Sequence, residues 1–157
     1  MVNYAKKNYN KETMARAAST NVGISLKKSV EAAKFIKGKK VSTVINVLEK
    51  IIDKKTVVPY RKYRAEMGHK RGSGVDTGGY PVTVAKEFLR LVKAAQKNAI
   101  EREITGELYL ISLSTRKGAQ RYHSGRYAGR QMKSTSVEVV VGLKDNKEVS
   151  KKWLREK

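Results

Sequence analysis

A long polar segment without a single acidic residue separates two apolar runs near the end of the chain. The runs are "ELYLISL" (residues 107–113) and "VEVVVGL" (residues 137–143), and their short apolar patterns predict β-strands. The segment between them, "STRKGAQRYHSGRYAGRQMKSTS" (residues 114–136), has no helical pattern, so the two strands are expected to be antiparallel partners. Connections longer than about 12–15 residues are usually functional or disordered. We therefore predict an extended hairpin over residues 114–136, the alternative being a disordered basic loop.

Three earlier stretches place apolar residues at helical spacing. The first follows Ser25, a suitable N-cap, and stops at Gly38; the second follows Ser42. The third begins near Pro81 and has the longest apolar stripe. This order predicts an α+β fold, with three helices packed on a small antiparallel sheet and a long protruding β-hairpin. The stripe of the third helix comprises Val84, Ala85, Phe88, Leu91, Val92, Ala95 and Ala99.

The chain divides into a central domain with a basic or charged segment at each end. Residues 1–18 are predicted to be a basic N-terminal arm, and residues 19–143 a single globular domain that includes the hairpin. Residues 19–25 form either a short strand or an extended lead-in to the first helix. Residues 144–157 are predicted to be a charged C-terminal tail.

The charge balance indicates a polyanionic partner. The sequence contains 35 Lys and Arg against 14 Asp and Glu, a formal net charge of +21. Such a surplus resists compaction unless it is neutralised, so a nucleic acid or an anionic membrane surface is implied. No apolar stretch is long enough to span a bilayer, and the N-terminus lacks the apolar core of a secretory signal, so we expect no membrane partner. The cytoplasm is then the expected location.

No set of residues suited to catalysis can be assembled from the sequence. His69 and His123 stand far apart in basic segments, and the chain has no cysteine, so no metal site is expected. The glycine-rich run "RGSGVDTGG" (residues 71–79) matches neither the dinucleotide fingerprint nor a phosphate-binding P-loop. The carboxylates are scattered. We therefore predict a protein that is not an enzyme and has no cofactor.

Two basic segments are the candidate RNA-binding sites. The hairpin segment interleaves cations with tyrosines, which can stack on unpaired bases, and with glycines, which allow close backbone approach. If six cations of the segment each neutralised one phosphate, the log–log salt slope of binding would be roughly −4 to −5. A basic stripe on the third helix (Lys86, Arg90, Lys93 and Lys97) is either a solvated face or a further contact surface. The predicted RNA-binding cations are Arg61, Arg64, Lys70, Arg71, Arg116, Lys117, Arg121, Arg126, Arg130 and Lys133, and the predicted backbone and stacking positions are Gly118, Tyr122, Gly125, Tyr127 and Gly129.

A combination of short motifs resembles one known family. The motifs are "SLKKSVEAAKFIKGK" (residues 25–39), "VPYRKY" (58–63), "MGHKRG" (67–72), "GGYPVTVAKEFLRLVKAAQKNA" (78–99) and "GRYAGRQMKSTSVEVVV" (125–141). Over about residues 14–143 the chain resembles the universal large-subunit ribosomal protein family number twenty-two, called seventeen in eukaryotes, in its archaeal and eukaryotic branch. Within the last motif, Arg126, Gly129 and Arg130 match the Arg-x-x-Gly-Arg element of the family's hairpin.

The resemblance implies a function inside the large ribosomal subunit. The domain would bind large-subunit ribosomal RNA, and the hairpin would line the nascent-peptide exit tunnel, beside neighbouring ribosomal proteins. Tyr127 departs from the family, which usually has alanine there, and Gly79 stands where an arginine is usual. The tip that would face the nascent polypeptide is assigned to Ala119, Gln120, Arg121, Tyr122, His123 and Ser124.

Two other functions are compatible with the composition. A free-standing RNA- or DNA-binding module, such as a nucleoid protein or RNA chaperone, would have the same charge without a long paired hairpin. An enzyme acting on RNA would need a catalytic set that the sequence does not display.

Overall fold

The helices and strands follow one another in an α+β order. The computed structural model describes residues 4–5, 8–72 and 74–143. The helices are α1 (Leu26–Ile36), α2 (Val41–Ile52) and α3 (Val82–Glu101), and a short 3-10 helix spans Gly125–Tyr127. The strands are β1 (Met14–Val22), β2 (Val58–Pro59), β3 (Gly78–Gly79), β4 (Leu108–Lys117) and β5 (Thr135–Leu143).

Strand β5 lies at the centre of a three-stranded antiparallel sheet of order β1-β5-β4. Because successive side chains of a strand point to opposite faces, the register decides which residues meet the helices. Val139 lies between Ala17 of β1 and Leu113 of β4, and Val141 lies between Ala15 and Leu110. These residues are all buried, and this face of the sheet forms one side of the core. Strands β2 and β3 form a separate two-stranded ribbon.

The helices close the core from that side, as the periodicity predicts. All seven residues of the α3 apolar stripe are buried, with Phe88 the largest fully buried side chain of the described residues. Helix α3 packs on β1, β5 and α2, while α1 packs on β4. Gly38, just after α1, has a φ of +82°, a conformation that glycine adopts at little cost at a helix end. The fold class of three helices with a small antiparallel sheet is confirmed.

Several boundaries differ from the sequence-based expectation. Strand β1 starts at Met14 and not at Ser19, so residues 14–18, which were assigned to the N-terminal arm, are part of the sheet. The strand was missed because its inward positions are alanines, which have low β-propensity. Helix α2 begins at Val41, one residue before the expected cap Ser42. The expected C-terminal tail, residues 144–157, lies outside the described residues.

Candidate nucleic-acid interface

The antiparallel pairing of β4 and β5 continues beyond the ends of both strands. The Gly118 N–H donates to the Ser134 carbonyl at 3.0 Å, and further out the Met132 N–H donates to the Arg121 carbonyl at 2.8 Å. Residues 119 and 120 therefore lie opposite the single residue 133, which makes a β-bulge. Every residue from 119 to 133 is exposed. We call residues 118–134 the hairpin arm; it is a paired ribbon whose outer residues add nothing to the core.

The chain reverses direction at the short 3-10 helix Gly125–Tyr127. Gly125 has a φ of +65°, and the Ala128 N–H donates to its carbonyl at 3.0 Å. The His123 N–H donates to the Arg130 carbonyl at 3.0 Å, which closes the pairing just before the turn. The apex of the hairpin arm is therefore residues 124–129, and residues 119–123 of the expected tip lie on the outgoing side of the arm. A glycine with positive φ allows the tight turn at this point.

Two exposed tyrosines give the hairpin arm aromatic faces. Tyr122 is 55% exposed and Tyr127 is 52% exposed. The Arg130 guanidinium carbon lies 4.9 Å from the centre of the Tyr127 ring. This arrangement places a cation and a ring side by side at the apex, where both can contact a base or a phosphate.

Asn21 fastens the root of the hairpin arm to the sheet. It lies where the β1 register shifts, with a φ of +56°, and its Oδ1 accepts from the Ala119 N–H at 2.7 Å and from the Ser134 hydroxyl at 3.3 Å. A Cβ on Gly118 would lie 2.4 Å from Ser134 Oγ and 2.6 Å from Asn21 Oδ1. Gly118 thus allows close packing inside the protein, whereas a Cβ on Gly129 would meet open space.

The predicted RNA-binding residue Arg116 has a partner within the protein. Its guanidinium forms an ion pair with Glu138, whose carboxylate also accepts from the Ala5 N–H at 2.7 Å. Glu138 is buried, while the Arg116 side chain is 49% exposed. Lys117 next to it is exposed, and so are the hairpin-arm cations Arg121, Arg126, Arg130 and Lys133.

The second basic segment is a surface loop held by a buried acid. Arg61, Arg64, Lys70 and Arg71 are all exposed in residues 60–72, which we call the basic loop. The carboxylate of Glu31 in α1, 2% exposed, lies under this loop. It accepts from the backbone N–H groups of three consecutive loop residues, Arg61 (3.1 Å), Lys62 (2.8 Å) and Tyr63 (2.8 Å).

Sequence reasoning missed Glu31. The available signal was that it is the only acidic residue in α1. Burial alone raises the pKa of this carboxyl, but the three N–H groups and the nearby Lys34 ammonium outweigh that effect, so the pKa of Glu31 lies below its ordinary value. The neighbouring Tyr60 is also buried, and burial together with the Glu31 charge raises the pKa of its phenol.

A pH dependence of stability follows from the lowered pKa of Glu31. Because the folded protein binds this proton more weakly than the unfolded chain, the stabilisation is complete above the unfolded pKa, about 4.3 for glutamate, and is lost as the pH falls through the folded value. We expect Glu31→Gln to lower the free energy of unfolding by about 1.5–3 kcal/mol at neutral pH. Urea unfolding at a series of pH values should show this difference shrinking in acid. A constant difference down to pH 3 would contradict the assignment.

The basic stripe of α3 is exposed and partly paired. Lys93 Nζ lies 3.7 Å from a carboxylate oxygen of Glu49 in α2, and Arg90 Nη1 lies 3.9 Å from Oε2 of Glu87. Lys86 and Lys97 form no ion pair with any described residue. Lys28 of α1, which was not among the predicted residues, lines one cleft together with Lys133 of the hairpin arm.

The histidine and acidic side chains of the described residues form no cluster that could hold a metal ion. His69 pairs with Asp76 at 2.7 Å on the surface, and no group of three or more His, Asp or Glu side chains comes together in residues 4–5, 8–72 and 74–143. Over the same residues, no helix combines the length and the apolar character needed to cross a bilayer.

Comparison with known proteins matches this arrangement to one family. The model of the family described as "Ribosomal protein L22p/L17e" matches residues 17–142. The chain belongs to this family. Among its relatives, "Large ribosomal subunit protein uL22" of Picrophilus torridus is 35% identical over 135 residues, which cover 83% of this chain and 89% of the relative. The proteins of the same name from Methanocella arvoryzae (34% identical, 83% and 90% covered) and Archaeoglobus fulgidus (29%, 91% and 97%) are similar.

Membership of the L22p/L17e family confirms the resemblance found in the sequence motifs. The L22p/L17e match spans β1 from Ala17, all three helices, the hairpin arm and β5 to Gly142. The family is structural, so this L22p/L17e chain is not an enzyme.

Proposed function

We propose that this L22p/L17e protein, a structural constituent of the large ribosomal subunit in the cytoplasm, binds large-subunit ribosomal RNA and lines the nascent-peptide exit tunnel with its hairpin arm. The observation that carries the proposal is the hairpin arm itself. Residues 119–133 are all exposed, paired across the arm, and contain four cations and no acidic residue. A two-stranded ribbon of this kind is marginally stable in water by itself, so a partner surface must complete it.

The charges of the two surfaces support an RNA backbone as that partner. The hairpin-arm cations and those of the basic loop are exposed, and no described acidic residue forms an ion pair with Arg121, Arg126, Arg130 or Lys133. Phosphates would neutralise them and release counterions, which makes binding favourable at moderate salt. Tyr122 and Tyr127 offer ring faces to unpaired bases.

The apex is the part of the hairpin arm that would face the nascent polypeptide. Its residues 124–129 lie farthest along the paired ribbon from the sheet, so they reach deepest into whatever the arm enters. A photo-cross-linking amino acid at Tyr127 in ribosomes carrying a stalled chain should form cross-links to that chain. The same amino acid at Ile100, which is 67% exposed at the end of α3, should form none. Equal cross-linking from both positions, or none from Tyr127, would remove the tunnel assignment.

Assembly into the subunit is tested by sedimentation of tagged protein from gently lysed cells. Stoichiometric migration with the large subunit, stable at moderate salt, is the expected result. A slowly sedimenting pool on assorted RNA, released by ribonuclease, would instead indicate a free-standing RNA-binding module.

The salt dependence of RNA binding should show how many cations of the hairpin arm contact phosphates. Replacing Arg121, Arg126, Arg130 and Lys133 by glutamine should reduce the magnitude of the log–log salt slope by about 3, since each phosphate contact contributes about 0.7–0.9. Filter binding of a large-subunit rRNA transcript between 50 and 300 mM KCl would measure it.

The matched control replaces the four cations of the α3 stripe (Lys86, Arg90, Lys93 and Lys97) by glutamine and so removes the same charge. A smaller change than in the hairpin variant is expected, because two of these cations already lie near carboxylates. Identical slopes in the two variants would show that net charge alone governs binding.

A further inference from the structure

The basic loop is held in place by an acidic residue, Glu31 of α1. Glu31 lies 2% exposed beneath the loop, and its two carboxylate oxygens accept from three consecutive backbone N–H groups. The loop residues use their main chain for this contact. Arg61, Lys62 and Arg64 are exposed, and the Lys62 ammonium lies 5.4 Å from the centre of the Tyr63 ring.

A carboxylate in this position fixes loop geometry that the loop alone could not keep. Three successive N–H groups converge on one anion only when the backbone curls into a concave nest. Adjacent bonds extend the constraint along the loop: the Tyr60 N–H donates to the Thr77 carbonyl at 2.9 Å, and the Thr77 hydroxyl donates to the Tyr60 carbonyl at 3.0 Å. The direction in which Arg61 and Arg64 leave the surface therefore depends on α1 through Glu31.

We infer that Glu31 is a positioning residue for RNA binding, which holds the basic loop in its RNA-binding shape before RNA arrives. The inference rests on the proposed function, since it assumes that the loop binds large-subunit ribosomal RNA. Pre-ordering the loop removes an entropy cost that binding would otherwise include. The acid contacts no RNA; it acts through the backbone of residues 61–63.

For Glu31→Gln, the inference predicts a change in RNA affinity opposite in sign to the change expected from net charge alone. Glu31→Gln makes the protein more positive, and a more positive surface binds a polyanion more tightly. Positioning predicts weaker binding, by roughly tenfold, because the neutral amide accepts these N–H groups poorly and the loop must be ordered on binding. The matched control Glu49→Gln changes the net charge equally at an exposed site on α2 and should leave affinity unchanged or slightly higher.

The experiment measures binding of the full-length protein and its variants to a large-subunit rRNA transcript at fixed salt. Hydrogen exchange of the free proteins is measured in parallel: in Glu31→Gln, the N–H groups of residues 61–63 should exchange faster while those of α3 stay protected. If the wild-type protein binds the transcript and Glu31→Gln binds it equally or more tightly, the inference about Glu31 is overturned while the proposed function stands. Failure of the wild-type protein to prefer this transcript over polyuridylate would instead count against the proposed function.

A double-mutant cycle separates positioning from loss of stability. Arg61→Gln, Lys62→Gln and Arg64→Gln together remove the charges of the loop segment that Glu31 holds. In that background Glu31→Gln should weaken binding by less than about twofold, because the side chains that it is inferred to direct are neutral. An undiminished tenfold loss there would show that Glu31→Gln acts through general destabilisation, and the inference would be abandoned.

Discussion

Replacing Phe88 by alanine is expected to lower the free energy of unfolding by about 3–5 kcal/mol, the range for deleting a fully buried aromatic ring. Phe88 is 0% exposed and belongs to the α3 stripe that packs against the sheet and α2. A domain of this size is stable by about 5–15 kcal/mol in total, so this single change removes a large part of the margin. Urea denaturation followed by circular dichroism, in buffer with enough salt to screen the net charge, would measure it.

The matched control for this prediction is Ile100→Ala on the same helix. Ile100 is 67% exposed, so its replacement should cost less than about 0.5 kcal/mol. If both variants lost similar stability, α3 would not bury the stripe that its periodicity predicts.

The elements that sequence predicts best are those whose pattern is local. The α3 stripe repeats at helical spacing over about four turns, from Val84 to Ala99, and all seven predicted positions are buried. Burial of one helical face follows from spacing alone, because residues three and four apart share a face. Strand β1 shows the opposite case: Ala15 and Ala17 alternate correctly, but alanine carries too weak a β-signal to be distinguished from a polar arm.

Contacts between residues that are far apart in the sequence could not be predicted. Glu31 meets residues about thirty positions away, and Asn21 meets the hairpin arm at Ala119 and Ser134. Nothing in the local pattern of either residue specifies these partners, since they depend on how α1 and β1 are packed. The position of the turn could not be read from the sequence for a related reason: the one-residue bulge at residues 119–120 and the positive φ of Gly125 set the turn, and neither is visible as periodicity.

Because residues 119–133 of the hairpin arm are all exposed, we expect that they can be removed without unfolding the domain. The expected loss is in RNA binding and not in stability. Replacing residues 119–133 by Asn-Gly joins Gly118 to Ser134 through a two-residue turn, the length favoured between hydrogen-bonded antiparallel partners. Gly118 and Ser134 already form such a bond at 3.0 Å, and the first inserted residue retains the backbone N–H that donates to Asn21. No buried residue is deleted, so the midpoint of thermal unfolding should change by only a few degrees.

The same replacement should abolish most of the specific RNA affinity and the apex cross-links to a nascent chain. It removes four cations and both exposed tyrosines of the arm, while the basic loop and Glu31 remain. Loss of four phosphate contacts corresponds to a salt slope shallower by about 3, and loss of stacking weakens binding further. Full affinity for the rRNA transcript in the shortened protein would assign RNA binding to the domain surface. A large fall in thermal stability would instead show that the hairpin arm supports the fold, so each measurement tests a different link between this exposed ribbon and its function.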